Sequence, residues 1–177
     1  MDSRGLHKVA QTIGWSKVND EADYSSYEYK RQISPKESVV NVVRIYNSVT
    51  LDEFLETLYI IKNVLPKKLQ RRVNKVTGNL KPEDISGALD AVCFAIEEYR
   101  SKCAYTKLCE YGMLVGVDLK EIGYGFQYEL PRKVEKQILT QIESKLPMKY
   151  ATELAKMKKM DYKIGYLKTC KNFKESE

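Results

Sequence analysis

The chain has 177 residues, of which 43 % are apolar and 31 % are charged, and its formal net charge is +6. This length suits one domain, and the apolar content is sufficient for a buried core, which excludes a wholly disordered or collagen-like chain. His7 is the only histidine. A paired-histidine relay and a histidine-rich metal site are therefore excluded as well.

Residues 1–36 mix glycine, serine, asparagine and charged residues without a sustained period, which predicts a flexible N-terminal arm. Its aromatic side chains are the exception. Aromatic residues in a polar segment indicate docking, either onto the chain's own domain or onto another chain. The candidates for self-association on this basis are Trp15, Tyr24, Tyr27 and Tyr29.

A globular domain is predicted over residues 37–170. Residues 37–47 are rich in β-branched side chains and have two largely apolar faces, which predicts a central strand. Thr50 followed by Glu53 is a capping-box pattern, so a helix is predicted to begin there and to end before Pro66.

The rest of the chain predicts mainly helices. In chain order the further predicted elements are a short helix ended by Gly78, a long helix over 82–110, a hairpin of 113–119 and 124–130, a helix from Pro131 that breaks at Pro147, a basic helix to Met160, and a strand over 161–170. A charged tail, 171–177, is predicted to fray. The predicted class is α+β, with a small, mostly antiparallel sheet packed against several helices.

The strongest chemical feature is a segregation of charge. No acidic residue lies between Glu56 and Glu83, and five basic residues at helical spacing follow one another there, which we call the basic ladder: Lys67, Lys68, Arg71, Arg72 and Lys75. Like charges at i, i+4 weaken a helix by a few tenths of a kcal/mol each. The ladder therefore indicates an anionic partner, either lipid head groups or RNA phosphates, although a merely solvated helix face is the alternative.

A second basic surface is predicted in the C-terminal third. Its candidate residues are Lys156, Lys158, Lys159 and Lys163. Lysine acts as a point charge and not as a bidentate fork, so this surface favours diffuse attraction over base-specific recognition. Stacking of RNA bases on Tyr124 and Tyr128 is a weaker alternative.

No enzyme motif is present in the sequence. There is no GxxxxGK[ST], no GxSxG, and only two glycines of a dinucleotide fingerprint, so we expect no catalytic residue, no cofactor and no metal. The four cysteines form no CxxC pair, and we expect them to be reduced. We also expect no signal peptide and no membrane span, so any membrane contact is expected to be peripheral.

Two segments, MDSRGLHKVAQTIGW and SVTLDEFLETLYIIKNVLP, stand out together with the length and the basic charge of the chain. In these features the chain resembles rhabdovirus matrix proteins of the plant cytorhabdovirus type. The resemblance implies a structural protein that condenses the viral nucleocapsid, made of nucleoprotein and RNA, and links it to the envelope during virion assembly and budding. The implied partners are the nucleocapsid, an anionic membrane surface, a viral glycoprotein tail and further copies of the chain.

The resemblance implies a location in the virion, in the host cytoplasm and at peripheral host endomembranes. The sequence departs from animal relatives because its five prolines are isolated, without a PPxY motif, and because Asp20, Glu21 and Asp23 make part of the arm acidic. Membrane contact is therefore expected at the basic ladder and at the C-terminal lysines. The alternatives are an RNA-binding accessory protein, either nucleoprotein-like or a silencing suppressor, and a host adaptor domain.

Overall fold

The computed structural model describes residues 1–124 and 131–158, except for the side chain of Lys158. The chain divides into two compact units, Met1–Ile96 and a second unit that begins at Glu97. The described elements, in chain order, are α1 (Arg4–Ile13), β1 (Ser16–Asp20), β2 (Tyr24–Ser34), β3 (Glu37–Tyr46), α2 (Leu51–Lys62), α3 (Lys67–Thr77), α4 (Ile85–Leu114), α5 (Arg132–Lys145) and α6 (Met148–Lys158).

The first unit contains an antiparallel sheet in the order β1-β2-β3. Strand β2 pairs with β3 along its whole length, from Tyr24 opposite Tyr46 to Ser34 opposite Glu37. Helix α2 contacts both α1 and β3. The buried side chains of these elements form the core: Leu6, Val9, Ile13, Tyr27, Ile45, Phe54, Leu58 and Ile61. The predicted α+β class, with an antiparallel sheet packed against helices, is confirmed.

The segment predicted as a flexible arm, residues 1–36, is instead folded into α1, β1 and β2. Leu6, Val9, Ala10 and Ile13 recur at helical spacing and are buried, so α1 is an amphipathic helix held by the core. The proposed end of the arm, residue 36, lies in the turn between β2 and β3. This part of the prediction therefore needs correction, because the arm supplies much of the first unit's core.

The strand predicted over 37–47 is confirmed as β3, but its predicted central position is wrong. The central strand is β2, and β3 is the last strand of the described sheet. One face of β3 buries Val43 and Ile45, while Val40 and Val42 on the other face are 49 % and 59 % exposed. Two apolar faces therefore did not mean two buried faces.

The capping box of α2 is confirmed. The Thr50 side chain accepts a hydrogen bond from the Glu53 amide, and the Glu53 side chain accepts one from the Thr50 amide, both at 3.2 Å. These two bonds satisfy amide groups that a helix start leaves open. A Thr50–Glu53 pair thus fixes the start of α2 at the residue that the sequence indicates.

The second unit is helical in its described residues. The side chains buried in its core are Leu108, Tyr111, Leu119, Tyr124, Leu139, Ile142, Leu146 and Leu154. The long helix extends to Leu114, and turns follow it, so the predicted strand over 113–119 is wrong. Gly112 does not end α4; a Cβ there would lie 2.6 Å from the Val117 carbonyl oxygen, so glycine lets the following turn fold back closely.

Some predicted elements cannot be compared with the structure. The second hairpin strand after Tyr124, the strand over 161–170 and the tail 171–177 lie outside the described residues. Of the cysteines, Cys93, Cys103 and Cys109 carry free thiols.

Candidate anion-binding surface

Helix α3 separates apolar and basic side chains onto two sides. Leu69, Val73 and Thr77 occupy positions i, i+4 and i+8 and are buried. All five residues of the basic ladder are exposed. At 3.6 residues per turn, the ladder lies within an arc of about 140° around the helix axis. The structure thus brings the predicted ladder together on one continuous surface.

The start of α3 is unusual for a helix. Pro66 occupies the N-cap and provides no side-chain hydrogen bond, and the first turn has no acidic residue. Lys67 and Lys68 stand instead at this end, where the helix dipole is positive, so both lysines weaken the helix. Burial of Leu69 and Val73 must therefore hold α3 in place.

The connection between α2 and α3 is tied by one side chain. The Gln70 amide nitrogen donates to the carbonyl oxygens of Asn63 at 2.9 Å and Leu65 at 2.6 Å. Lys62 lies apart from the ladder, since its Nζ donates to Thr77 Oγ1 at 3.3 Å on the buried side of α3. Burial lowers the pKa of Lys62. These contacts fix where the ladder stands on the first unit.

The ladder is electrostatically uncompensated over most of its length. Within residues 1–124 and 131–158, no carboxylate lies within 4.0 Å of the side-chain nitrogens of Lys67, Lys68, Arg71 or Lys75. The surface is one face of a helix and offers several positive groups side by side. Such a surface can bind a chain or a layer of phosphates by many weak contacts.

The second predicted basic surface is only partly described. Lys156 is exposed on α6. Lys158 ends the same helix, but its side chain lies outside the description, as do Lys159 and Lys163 altogether. The structure therefore does not test whether these four lysines form one surface.

Two of the aromatic candidates for self-association belong to the core. Trp15 is buried, and its Nε1 donates to the Ile61 carbonyl oxygen at 3.0 Å. Tyr27 is fully buried, and its hydroxyl lies 2.7 Å from Nδ1 of His7. Neither ring can meet a second chain while the unit is folded, so this assignment is corrected. The alternative for these aromatics is docking onto the chain's own domain, and Trp15 packs in this way.

The other two candidates are half-buried. The Tyr29 ring packs against Trp15 with 5.6 Å between ring centroids. Tyr24 packs against Tyr46 at 5.4 Å, and the Arg44 guanidinium lies over its ring at 4.7 Å. Both rings therefore already have partners within the first unit, and only their outer parts face solvent.

Tyr124 does not offer a free ring for stacking RNA bases. It is buried, lies parallel to Tyr105 at 6.2 Å, and its hydroxyl lies 3.3 Å from the Glu135 carboxylate. The nearby Tyr111 hydroxyl donates to Glu153, which raises the pKa of Tyr111 to about 12. These contacts hold α4, α5 and α6 together. Tyr128 lies outside the described residues.

Other kinds of site receive no support from the described residues. Among them, no group of three or more His, Cys, Asp or Glu side chains is arranged to hold a metal ion. The described helices also include none that is long and apolar enough to cross a membrane.

The sequence analysis missed a second exposed surface, the outer face and open edge of β3. Its signal in the sequence is the pair of apolar faces of residues 37–47, a pattern that favours a buried strand. No protein-family model, curated protein or solved structure matches this chain.

Proposed function

We propose that this protein is a viral matrix structural protein, which links and condenses the nucleocapsid at anionic membranes during virion assembly and budding. The observation that carries its anion-binding part is the basic ladder. Five exposed cations share one side of α3, in a span of sequence without an acidic residue. The viral part rests on the resemblance to cytorhabdovirus matrix proteins.

The ladder is large enough to hold a folded domain at a membrane. Each Lys or Arg near an anionic lipid surface contributes about 1 kcal/mol, so five contribute about 5 kcal/mol before ordering costs. The positive end of the α3 dipole adds to this attraction at Lys67 and Lys68. Binding by these means is reversible and weakens as salt rises, which suits a protein that must also release its partners.

A matrix protein needs three further contacts: with the nucleocapsid, with a viral glycoprotein tail, and with copies of itself. The phosphates of a nucleocapsid offer the ladder the same chemistry as lipid head groups. The proposed locations are the virion, the host cytoplasm and the peripheral surface of host endomembranes.

The test is flotation with liposomes, with phosphatidylserine vesicles as the anionic probe and phosphatidylcholine vesicles as the neutral control. We expect binding to the anionic vesicles only. The variant Lys67→Glu/Arg71→Glu/Lys75→Glu reverses one row of the ladder and should lose binding. The matched control Lys133→Glu/Lys136→Glu/Lys145→Glu reverses three exposed charges on α5 and should keep it. Equal loss in both variants would show a general charge effect and would contradict the proposal.

The second candidate is an RNA-binding accessory protein, nucleoprotein-like or a silencing suppressor. The two arginines of the ladder favour it, because a guanidinium binds phosphate oxygens in a bidentate manner. Gel-shift titrations with single- and double-stranded RNA, run beside the flotation, separate the two candidates. Salt-dependent RNA binding without vesicle binding would select the accessory protein.

A further inference from the structure

The hairpin of β2 and β3 extends beyond the rest of its sheet. Strand β1 pairs with β2 only between Ser25 and Glu28, so the far half of the hairpin consists of two strands. Along this half, residues 30–33 and 35–40 are exposed on both faces. A two-stranded hairpin is only marginally stable in water by itself. Among the described residues, no third strand pairs with the far half of the hairpin, and its exposure on both faces shows that no described helix covers it.

The open edge of β3 lacks the usual protection against pairing. In the described sheet β3 is a terminal strand of ten residues. Natural edge strands are protected by charges, prolines or bulges. Between Glu37 and Arg44 the sequence is SVVNVV, which contains neither charge nor proline, and the pairing irregularity with β2 lies near Ser34, outside this span. The outward Val40 and Val42 side chains add exposed apolar surface to this edge.

Symmetry restricts how this edge can pair with a second copy of itself. A two-fold axis perpendicular to the sheet gives an antiparallel pair in which residues of the same face oppose each other, so the axis lies midway between one residue and its copy in the second chain. Centring it on Val40 would place Lys36 opposite Arg44, two like charges. Centring it on Val42 would place Asn41 opposite Val43 and leave the amide unpaired. Centring it on Asn41 avoids both conflicts.

An observation on Asn41 also favours this register. Its Oδ1 is buried and, in the part of the chain that is described, accepts no hydrogen bond. A buried polar atom without a partner is costly, by about 1–3 kcal/mol. Because Oδ1 is covered by the chain's own atoms, the Asn41 side chain must first rotate toward the open edge. In the register centred on Asn41 the two amides then stand opposite each other, and each Nδ2 can donate to the other Oδ1. Val40 then opposes Val42, and Val39 opposes Val43, which are favourable β-branched pairs.

We propose that two copies of this chain associate through β3, antiparallel and centred on Asn41, and join their sheets into one continuous sheet of six strands. This deepens the self-association that forms part of the proposed function. It does not use the basic ladder. Vesicle binding and dimer formation can therefore fail separately, and each failure identifies its own cause.

Cross-linking tests the register directly. In the background Cys103→Ser, the variant Asn41→Cys should form an inter-chain disulfide under mild oxidation, since opposed residues of antiparallel strands have Cα atoms about 4.5–5.5 Å apart. The matched control Val42→Cys opposes position 40, so its two thiols are offset by two residues and should stay reduced. Equal cross-linking in both variants, or none in either, would overturn the proposed register.

Sedimentation velocity tests the dimer in solution. The unmodified chain should be a dimer, and Val40→Lys/Val42→Lys should be a monomer, because each new lysine opposes a lysine of the second copy. Val40→Glu/Val42→Lys should restore the dimer, because glutamate then opposes lysine of the second copy, and within the hairpin the two new side chains face Lys30 and Glu28, which carry opposite charges. Both positions are exposed, so the far-UV CD spectrum should be unchanged. A monomeric unmodified chain, or equal association of the two double variants, would overturn the proposal.

Discussion

The basic ladder and the edge of β3 are both exposed surfaces of the first unit, but they differ in chemistry. The ladder carries positive charge that repels a second ladder and attracts any polyanion. The β3 edge carries no charge between Glu37 and Arg44 and offers backbone groups that only a well-registered strand can pair. The comparison teaches that one unit can hold two surfaces whose attractions respond to different conditions. Charge acts over a distance and is screened by salt, whereas strand pairing acts on contact.

Raising the salt concentration should have the largest effect, and it should weaken vesicle binding without weakening the dimer. Raising the ionic strength from 0.1 M to 1 M shortens the Debye length from about 10 Å to about 3 Å. Vesicle binding by the ladder should then be lost, while the sedimentation coefficient of the dimer stays the same. Vesicle binding that persists at 1 M would break the comparison, because it would show apolar attachment in place of an electrostatic one.

Charge reversal on α3 should have the next largest effect. Removing three cations of the ladder costs about 3 kcal/mol of membrane attraction, so the variant Lys67→Glu/Arg71→Glu/Lys75→Glu should bind anionic vesicles at least about 100-fold more weakly. Its dimer should be unaffected. Loss of the dimer together with vesicle binding would indicate that the two surfaces are not independent.

A change in the core should alter neither surface. Trp15→Phe removes the donor to the Ile61 carbonyl oxygen and leaves this buried acceptor open, which should lower the free energy of unfolding by about 1–3 kcal/mol. Urea unfolding measures this loss. Under conditions in which the variant is folded, vesicle binding and dimer formation should match the unmodified chain. If Trp15 contacted a second chain, Trp15→Phe would instead weaken the dimer and would change the free energy of unfolding only a little.

Acidic pH should have the smallest of these expected effects on the first unit. Burial is the main cause that lowers the pKa of His7, and Lys17 lowers it further, while Asp20 and Asp2 act in the opposite direction. The unfolded chain therefore binds a proton at His7 more readily than the folded chain does. The contribution of neutral His7 to the free energy of unfolding is fully present above about pH 6.5 and falls as the pH drops below that value. His7→Gln should flatten this part of the profile in urea unfolding between pH 7.5 and 5.5. An unchanged slope in the variant would assign the effect to other groups.

The sequence predicted those features that depend on neighbouring residues. The Thr50–Glu53 capping box and the one-sided exposure of the basic ladder both follow from spacings of three and four residues. Helix α1 was missed because its start has no capping box and no acidic first turn; Asp2 Oδ1 accepts a hydrogen bond from the Arg4 amide at 2.8 Å, and burial of the apolar side holds the rest of the helix.

The remaining errors depend on contacts that are distant in sequence. An apolar run such as 113–117 is compatible with a strand or with a helix end, and only packing in the second unit decides between them. The position of β3 at the edge depends on which strands find each other. The apolar pattern of residues 37–47 therefore predicts burial for its outward valines, although Val40 and Val42 face solvent.

The uncapped start of α3 has a thermodynamic consequence. Its first turn concentrates Lys67, Lys68 and the positive end of the helix dipole, all of which disfavour the helix in the free protein. A phosphate-rich polymer bound there would neutralise this repulsion and stabilise α3. Part of the free energy of binding therefore comes from the stabilisation of the helix. Heating the protein with and without such a polymer should therefore show a higher melting temperature in its presence.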